Sequence, residues 1–251
     1  MTKAEQLMCY LIRLDGGENP ALVKEEAREF LKNIDAHDLT IAEQNLMEKG
    51  LIIDDLQRLC EMHLELIEDQ VLKMKPNLPS DHVILTMLSE HESILCFLDE
   101  LDFINRQIQD MENFDADCDV FVKLKKVAEH LSAAERHHER EEDILFSELE
   151  RRGLFAPLMI IKQEHATQRG YTHQLKALTE DVEEMKLSKF KLQLDAVVRF
   201  LAPTLREHIL KENNILYPTA LAVIKDEKVW LKLKQACDKI GNYCFTQQKL
   251  K

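Results

Sequence analysis

Glycine and proline are scarce in this sequence, which has six of each in 251 residues. Average usage is about 7% for glycine and about 5% for proline. Folds built from many short strands need frequent turns, and turns depend on these two residues. The shortage therefore disfavours a β-sandwich, a β-barrel and a glycine-rich nucleotide-binding loop.

Long apolar runs and paired cysteines are also lacking. No apolar segment reaches the roughly 18 residues of a membrane-spanning helix, and the N-terminal segment lacks the pattern of a signal peptide. The six cysteines are scattered without a C-x-x-C pair, which is typical of reduced thiols. We therefore predict a cytoplasmic protein with no membrane partner.

The charge of the chain is strongly acidic. Its 46 Asp and Glu residues exceed its 33 Lys and Arg residues, for a formal net charge of −13 at pH 7. A surface of this sign repels nucleic-acid backbones and anionic membranes, so we expect neither as a partner. With 45% hydrophobic residues the chain can still bury a core.

Hydrophobic residues recur with helical periodicity along nearly the whole chain, which predicts an all-α fold. Residues 1–76 are predicted to form a small N-terminal helical domain, with helices at 3–15, 20–33, 38–49 and 53–74. Two prolines between residues 75 and 80 indicate a linker. Longer helices follow at 81–110, 117–151, 157–186 and 188–223, with a last helix at 226–240.

The short connections between the four long helices predict an up-and-down four-helix bundle with a C-terminal helix, over residues 81–241. Pro203 falls inside the fourth pattern, where proline either kinks a helix or marks a late start. The apolar spacing continues through it, so we predict a kinked helix.

An internal repeat is the strongest chemical signal in the sequence. The second long helix contains His137-x-x-x-Glu141, and the fourth contains His208-x-x-x-Glu212, in each case 71 positions later. Both copies continue with Ile-Leu and an aromatic residue three to five positions after the glutamate. Residues four apart lie on one face of a helix, so each copy presents an imidazole and a carboxylate together.

The first and third long helices add one histidine each. Glu90-His91 and Glu164-His165 lie 74 positions apart, and His91 lies in an otherwise apolar stripe. Burying imidazoles and carboxylates without compensation costs several kcal/mol, and a bound cation removes that cost. Neutral imidazole and carboxylate are common ligands of iron, zinc and manganese.

Four histidines and two glutamates exceed the four ligands of one tetrahedral zinc ion. We therefore predict two metal ions, each held by two histidines and both sharing the two glutamates. Such a centre retains an open position, which suits the binding of a small diatomic molecule or peroxide.

Neighbouring residues offer an alternative ligand pair. His138 and Glu142 directly follow His137 and Glu141, and the repeat favours the latter pair. A ferritin-like site needs Glu-x-x-His in two helices, whereas the bundle segment has it only once, at Glu135 to His138. That design is therefore disfavoured.

Other candidates have simpler interpretations. Cys60 and His63 lie three apart on one predicted helix face, but no third or fourth ligand is near them in sequence, so we favour packing. Phe146 and Tyr217, five positions after the repeated glutamates, are expected to pack at the end of the bundle.

The segments 137–146 and 207–218 resemble the hemerythrin-like (HHE cation-binding) family, with a resemblance that covers about residues 81–241. It implies a four-helix bundle around two non-haem iron ions, joined by an oxo or hydroxo bridge, that bind or react with O₂, NO or peroxide. It further implies the metal ligands, which are His91, His137, Glu141, His165, His208 and Glu212.

Two departures from the oxygen-carrying hemerythrins favour another branch of that family. Arg169 stands four after His165, where the carriers have a second histidine, and Glu212 follows His208 by four, where they have an aspartate after five. The ligand set is instead similar to that of the repair-of-iron-centres proteins. This implies a role in the redox or nitrosative stress response or in sensing, and an enzyme of this kind would need a redox partner protein. Iron storage or donation and reversible oxygen binding are the alternatives.

The N-terminal part resembles the domain of unknown function 438. The resemblance rests on Ala42-Glu43-Gln44, on Gly50 and on the segment 57–63, and the tail 230–241 is similar to the same composite family. It implies no chemistry.

Overall fold

The computed structural model describes residues 3–32, 40, 44–45, 47–48, 50, 75–113, 118–180, 182 and 185–241. Every regular element within these ranges is a helix, which confirms the all-α prediction. None of the helices in this part of the chain combines the length and the apolar character of a bilayer span. The predicted helix at 53–74, with Cys60 and His63, lies outside the described residues, as does most of the one at 38–49.

Two short helices in contact with each other lie near the N-terminus. Helix α1 spans Lys3–Asp15 and helix α2 spans Pro20–Lys32, close to their predicted bounds. The side chain of Asn19 accepts a hydrogen bond from the backbone N–H of Ala21 (2.9 Å), which caps the start of α2. The two helices contact each other and bury apolar side chains such as Leu7 and Val23.

The bundle contains the four predicted long helices. The first is α3, Val83–Asp110, and the third is α7, Ala156–Glu180. The second consists of α4 (Asp119–Ala133), α5 (Glu135–Arg140), a π-helical turn (Glu141–Phe146) and α6 (Ser147–Glu150). The fourth consists of α8 (Leu187–Lys211), a π-helical turn (Glu212–Leu216) and α9 (Tyr217–Val223), and α10 (Glu227–Ile240) follows.

Each bundle helix packs against the helix before it and the helix after it, and the fourth packs against the first. Together with the short connections, these contacts give the predicted up-and-down bundle. Helix α8 continues through Pro203, so the alternative of a late start is wrong.

Two apolar clusters fill the bundle interior and leave a polar layer between them. In the first helix, Leu88 belongs to one cluster and Ile94 to the other, with His91 between them. In the fourth helix, Leu205 and Leu216 belong to different clusters in the same way. The repeated histidines and glutamates therefore lie between two dry layers, where any charge must be compensated.

Both π-helical turns begin at a repeated glutamate, Glu141 in one copy and Glu212 in the other. A π-helix closes i→i+5 hydrogen bonds, and single π-turns within α-helices occur frequently at functional sites. The wider turn brings the residue five positions later back towards the face of the glutamate. Phe146 and Tyr217 occupy those positions, and both are fully buried.

Candidate metal centre

Buried imidazoles and carboxylates from all four bundle helices meet in the polar layer. The six residues of the predicted site are at most 1% exposed: His91, His137, Glu141, His165, His208 and Glu212. Their ligand atoms form two groups, each with all atoms within 4.8 Å of one another. One group contains His91, His137, Glu141 and Glu212, and the other contains His138, His165 and His208. The structure thus brings the six predicted residues together and adds His138.

Glu212 lies between the two groups of histidines. Its Oε2 atom is 3.1 Å from Nε2 of His91. Its Oε1 atom is 3.3 Å from Nε2 of His165 and 3.0 Å from Nε2 of His208. The two oxygens of one carboxylate therefore face histidines of different groups, as a carboxylate shared by two cations would.

Glu141 occupies the matching place on the second helix. Its Oε2 atom is 3.5 Å from Nε2 of His137 and 3.5 Å from Nε2 of His165, so it too reaches both groups. Its Oε1 atom accepts a hydrogen bond from the hydroxyl of Tyr217 (2.6 Å). That hydroxyl also lies 3.3 Å from Nε2 of His91.

The outer ring nitrogens of the four predicted histidines all have polar partners. Each Nδ1 atom lies 2.7–2.8 Å from a side-chain oxygen, in the pairs His91–Asn213, His137–Glu90, His165–Glu142 and His208–Glu164. A partner on the outer nitrogen fixes the ring plane and the tautomer, and this is how histidines that bind metals are usually held. It leaves each Nε2 atom directed to the interior.

The internal repeat extends to these supporting contacts. Arg140 contacts Glu90, and Lys211, 71 positions after Arg140, contacts Glu164 (2.8 Å). The surroundings of the two copies differ, because Arg140 is completely buried, whereas Glu164 and Lys211 line a cleft of about 240 Å³. The His208 side of the centre is therefore closer to solvent than the His137 side.

The acid–base properties follow from burial and from close opposite charges. Burial opposes protonation of His137 and of His208, but nearby glutamates outweigh it and raise the pKa of each to about 10. Burial also opposes ionisation of Glu212, yet His208 and the other histidines in contact with it hold its pKa well below the usual range. Without a metal, His137 and His208 are thus protonated and lie beside carboxylates, and a bound cation takes the place of their protons.

Several polar atoms in the layer lie near an opposite charge but make no well-oriented hydrogen bond among the described residues. They include Oε2 of Glu141, Oε2 of Glu212 and Nε2 of His208, all of them buried. An orphaned buried polar atom is costly, and a bound cation would satisfy all three. The donor set therefore fits a metal site and suits iron, zinc or manganese.

The alternatives left open by the sequence are not exclusive in the structure. His137 faces one group and His138 faces the other. Glu142 contacts the outer nitrogen of His165 and is 22% exposed, whereas Glu141 lies inside the layer. Glu142 is therefore a support for His165, and Glu141 is the glutamate within the site.

Sequence reasoning missed Tyr217, which was expected to pack at the bundle end. Its hydroxyl lies inside the layer because the π-turn re-aims the residue five positions after Glu212. Burial and the charge of Glu141 raise the pKa of Tyr217 well above its usual range, so the hydroxyl keeps its proton and donates. Phe146 belongs to the same apolar cluster as Tyr217, and its ring stacks near that of His165.

Comparison with known families agrees with the site. Residues 7–73 match the model of a family of unknown function (DUF438). Residues 82–220, more than half of the chain, match the model of the hemerythrin HHE cation binding domain. The chain matches no curated protein. With a cation-binding family model over the bundle and clusters of buried histidine and glutamate inside it, this chain belongs to the hemerythrin HHE cation-binding family.

Proposed function

We propose that this protein is a non-haem di-iron protein that binds or reacts with O₂, NO or peroxide. His91 and His137 would hold one iron, His165 and His208 the other, and both irons would share Glu141 and Glu212. The position of Glu212 supports this most strongly, because its two oxygens lie 3.1 Å from His91 and 3.0 Å from His208.

A bound pair of iron ions would supply redox chemistry and a place for one small molecule. The protein residues prepare the surroundings for it. Apolar clusters on both sides keep bulk water out of the layer. The carboxylates of Glu90 and Glu164 hold the imidazoles of His137 and His208 in fixed planes. The Tyr217 hydroxyl is a neutral proton donor beside His91.

The reaction class is testable with protein loaded with Fe(II) under anaerobic conditions. Absorption and Mössbauer spectra recorded before and after O₂, NO or hydrogen peroxide should change with at least one of them, and a reductant should restore the first spectrum. The matched control is His173→Ala, since His173 is 64% exposed and belongs to neither group of ligand atoms. Spectra that none of the three alters, in protein that has bound iron, would contradict the proposal.

Sensing is the variant of this function for which the structure gives a specific observation. The buried hydroxyl of Thr40, in the N-terminal part, lies 3.2 Å from that of Thr219, two residues after Tyr217. The side chain of Gln44 donates to the carbonyl of Gly153 (2.6 Å) and accepts from the N–H of Phe155 (3.1 Å). A movement of the helix that begins at Tyr217 would therefore directly disturb the contact with the N-terminal part.

Hydrogen exchange separates a sensor from an enzyme. In a sensor, NO or azide added to the iron-loaded full chain should change the exchange of residues 40–50, and Gln44→Ala should weaken that response. An enzyme should instead show turnover with a reductant or redox partner protein and an unchanged contact. We expect both activities to belong to a cytoplasmic protein.

A further inference from the structure

His138 breaks the internal repeat at the centre of the molecule. Its counterpart 71 positions later is Ile209, which belongs to one of the two apolar clusters and is 1% exposed. A histidine has thus been placed in one copy where the other copy has an aliphatic side chain. His138 is only 6% exposed, so water does not compensate for the change.

Other imidazoles lie close to the ring of His138. Its ring stacks on that of His165, with centroids 3.9 Å apart and planes 13° apart, and its centroid is 5.8 Å from that of His208. One nitrogen from each of these three histidines forms a group within 4.8 Å. The Nδ1 atom of His138 has no hydrogen-bond partner among the described residues.

A histidine that only fills space in a core normally pairs its ring nitrogens, because an orphaned one is costly. The four histidines of the predicted site do pair their outer nitrogens, as in His208–Glu164. In contrast to these histidines, His138 leaves its Nδ1 atom without a hydrogen-bond partner among the described residues. It presents an unpaired buried nitrogen beside two imidazoles that themselves face the layer, which is the position of a metal ligand.

We infer that His138 is a seventh ligand, which joins His165 and His208 at one of the two metal positions. This inference rests on the proposed dinuclear centre. Consecutive residues on a helix point about 100° apart, so His137 and His138 serve different positions without competing. His137 meets the first helix at His91, and His138 meets the third at His165.

The two metal positions are therefore unequal. One has the three imidazoles of His138, His165 and His208. The other has the two imidazoles of His91 and His137, with the Tyr217 hydroxyl 3.3 Å and 3.5 Å from their Nε2 atoms. The aromatic residues beside the two positions differ as well. Tyr217, which has a hydroxyl, stacks near His91, whereas Phe146, which has none, stacks near His165.

Two substitutions test this assignment. His138→Ile installs the residue that the repeat has at this place, and His138→Phe keeps a ring to stack on His165 but has no nitrogen. For each variant and the wild type, thermal melting is measured without metal and with excess Co²⁺, and the two Co²⁺ affinities are measured by competition with a chelating dye. His173→Ala, at an exposed histidine, is the control.

We expect the wild type and His173→Ala to bind two Co²⁺ ions. In both His138 variants, one Co²⁺ affinity should fall at least about tenfold, because loss of a supporting partner alone costs 10–100-fold. The gain in melting temperature on adding Co²⁺ should shrink, since that gain depends on affinity. The melting temperature without metal should not fall, because an orphaned polar atom has been removed.

Suppose that the wild type binds two Co²⁺ ions and that the His138 variants keep both affinities and the full gain in melting temperature. That result would overturn the role of His138 but leave the dinuclear proposal standing. Equal loss of melting temperature with and without Co²⁺ would also overturn it, since that marks a packing residue. Fewer than two Co²⁺ ions in the wild type would overturn the dinuclear proposal as well.

Discussion

The hydroxyl of Tyr217 donates a hydrogen bond of 2.6 Å to the carboxylate of Glu141, across the bundle from the fourth helix to the second. Both residues are completely buried. The bond occupies one oxygen of Glu141 and leaves the other facing His137 and His165. Tyr217 therefore fixes which oxygen of this glutamate is available inside the layer.

Replacement of Tyr217 tests this relationship. Tyr217→Phe removes the only atom of the ring that reaches Glu141, and a hydrogen bond to a charged group contributes about 1.5–3 kcal/mol. We expect the free energy of unfolding of the metal-free protein to fall by about that amount in urea titrations. Tyr171→Phe is the control, because the Tyr171 ring stacks on Phe200 and packs against an apolar cluster, contacts that phenylalanine retains, and its effect should stay within about 0.5 kcal/mol. Equal stability of the two variants would contradict the account.

Glu164 should determine metal affinity without binding the metal. Its carboxylate holds Nδ1 of His208 at 2.7 Å and Lys211 at 2.8 Å. Glu164→Gln weakens this support, so we expect metal affinity to fall about 10–100-fold in chelator competition. Glu207 also pairs with Lys211 but is 43% exposed, and Glu207→Gln should leave the affinity unchanged. A loss of affinity in the Glu207 variant as large as in the Glu164 variant would point to Lys211 rather than to His208.

Metal binding should release protons. Although burial opposes it, the neighbouring glutamates raise the pKa of His137 and His208 to about 10 in the metal-free protein, above the ordinary 6.5. Both histidines are therefore protonated at pH 7 and must lose those protons to bind a cation, so about two protons should leave per chain. Calorimetry of Zn²⁺ binding in buffers with different ionisation enthalpies counts them. No release at pH 7 would show that the imidazoles are already neutral.

The sign of the pH dependence follows from the same shifts. Metal affinity should rise as the pH is raised from 6 towards 9, because deprotonation becomes less costly. Stability of the metal-free protein should show the opposite trend. A histidine whose pKa is higher in the folded than in the unfolded protein stabilises the folded state fully below about pH 6.5. This stabilisation is lost as the pH passes about 10.

The bundle and most of its centre were predictable from local sequence patterns. Hydrophobic periodicity places the helix from Val83 to Asp110 within two residues of its predicted start. The two copies of H-x-x-x-E point to candidate ligands such as His137 in the first copy and Glu212 in the second, because α-helical spacing puts residues four apart on one face. The repeat of Glu90 and Glu164 was visible as well, but their role as partners of His137 and His208 required the packing of neighbouring helices.

The missed features depend on departures from α-helical geometry and on helix rotation. The π-turn that begins at Glu212 moves Tyr217 into the layer, and nothing in the spacing of the residues predicts such a turn. From the sequence, His137 and His138 were alternative metal ligands, because adjacent helical residues point in different directions. In a four-helix bundle both directions lead into the interior, towards different neighbouring helices.

The iron content of the protein tests the central claim most directly. Wild-type protein reconstituted with Fe(II) under anaerobic conditions and freed of excess metal should contain about two irons per chain, as two carboxylates shared by two histidine groups require. Glu212→Ala removes the carboxylate that lies 3.1 Å from His91 and 3.0 Å from His208, and it should lose most of the iron from both positions. An iron content of zero or one in the wild type, or two irons retained in Glu212→Ala, would contradict the dinuclear centre.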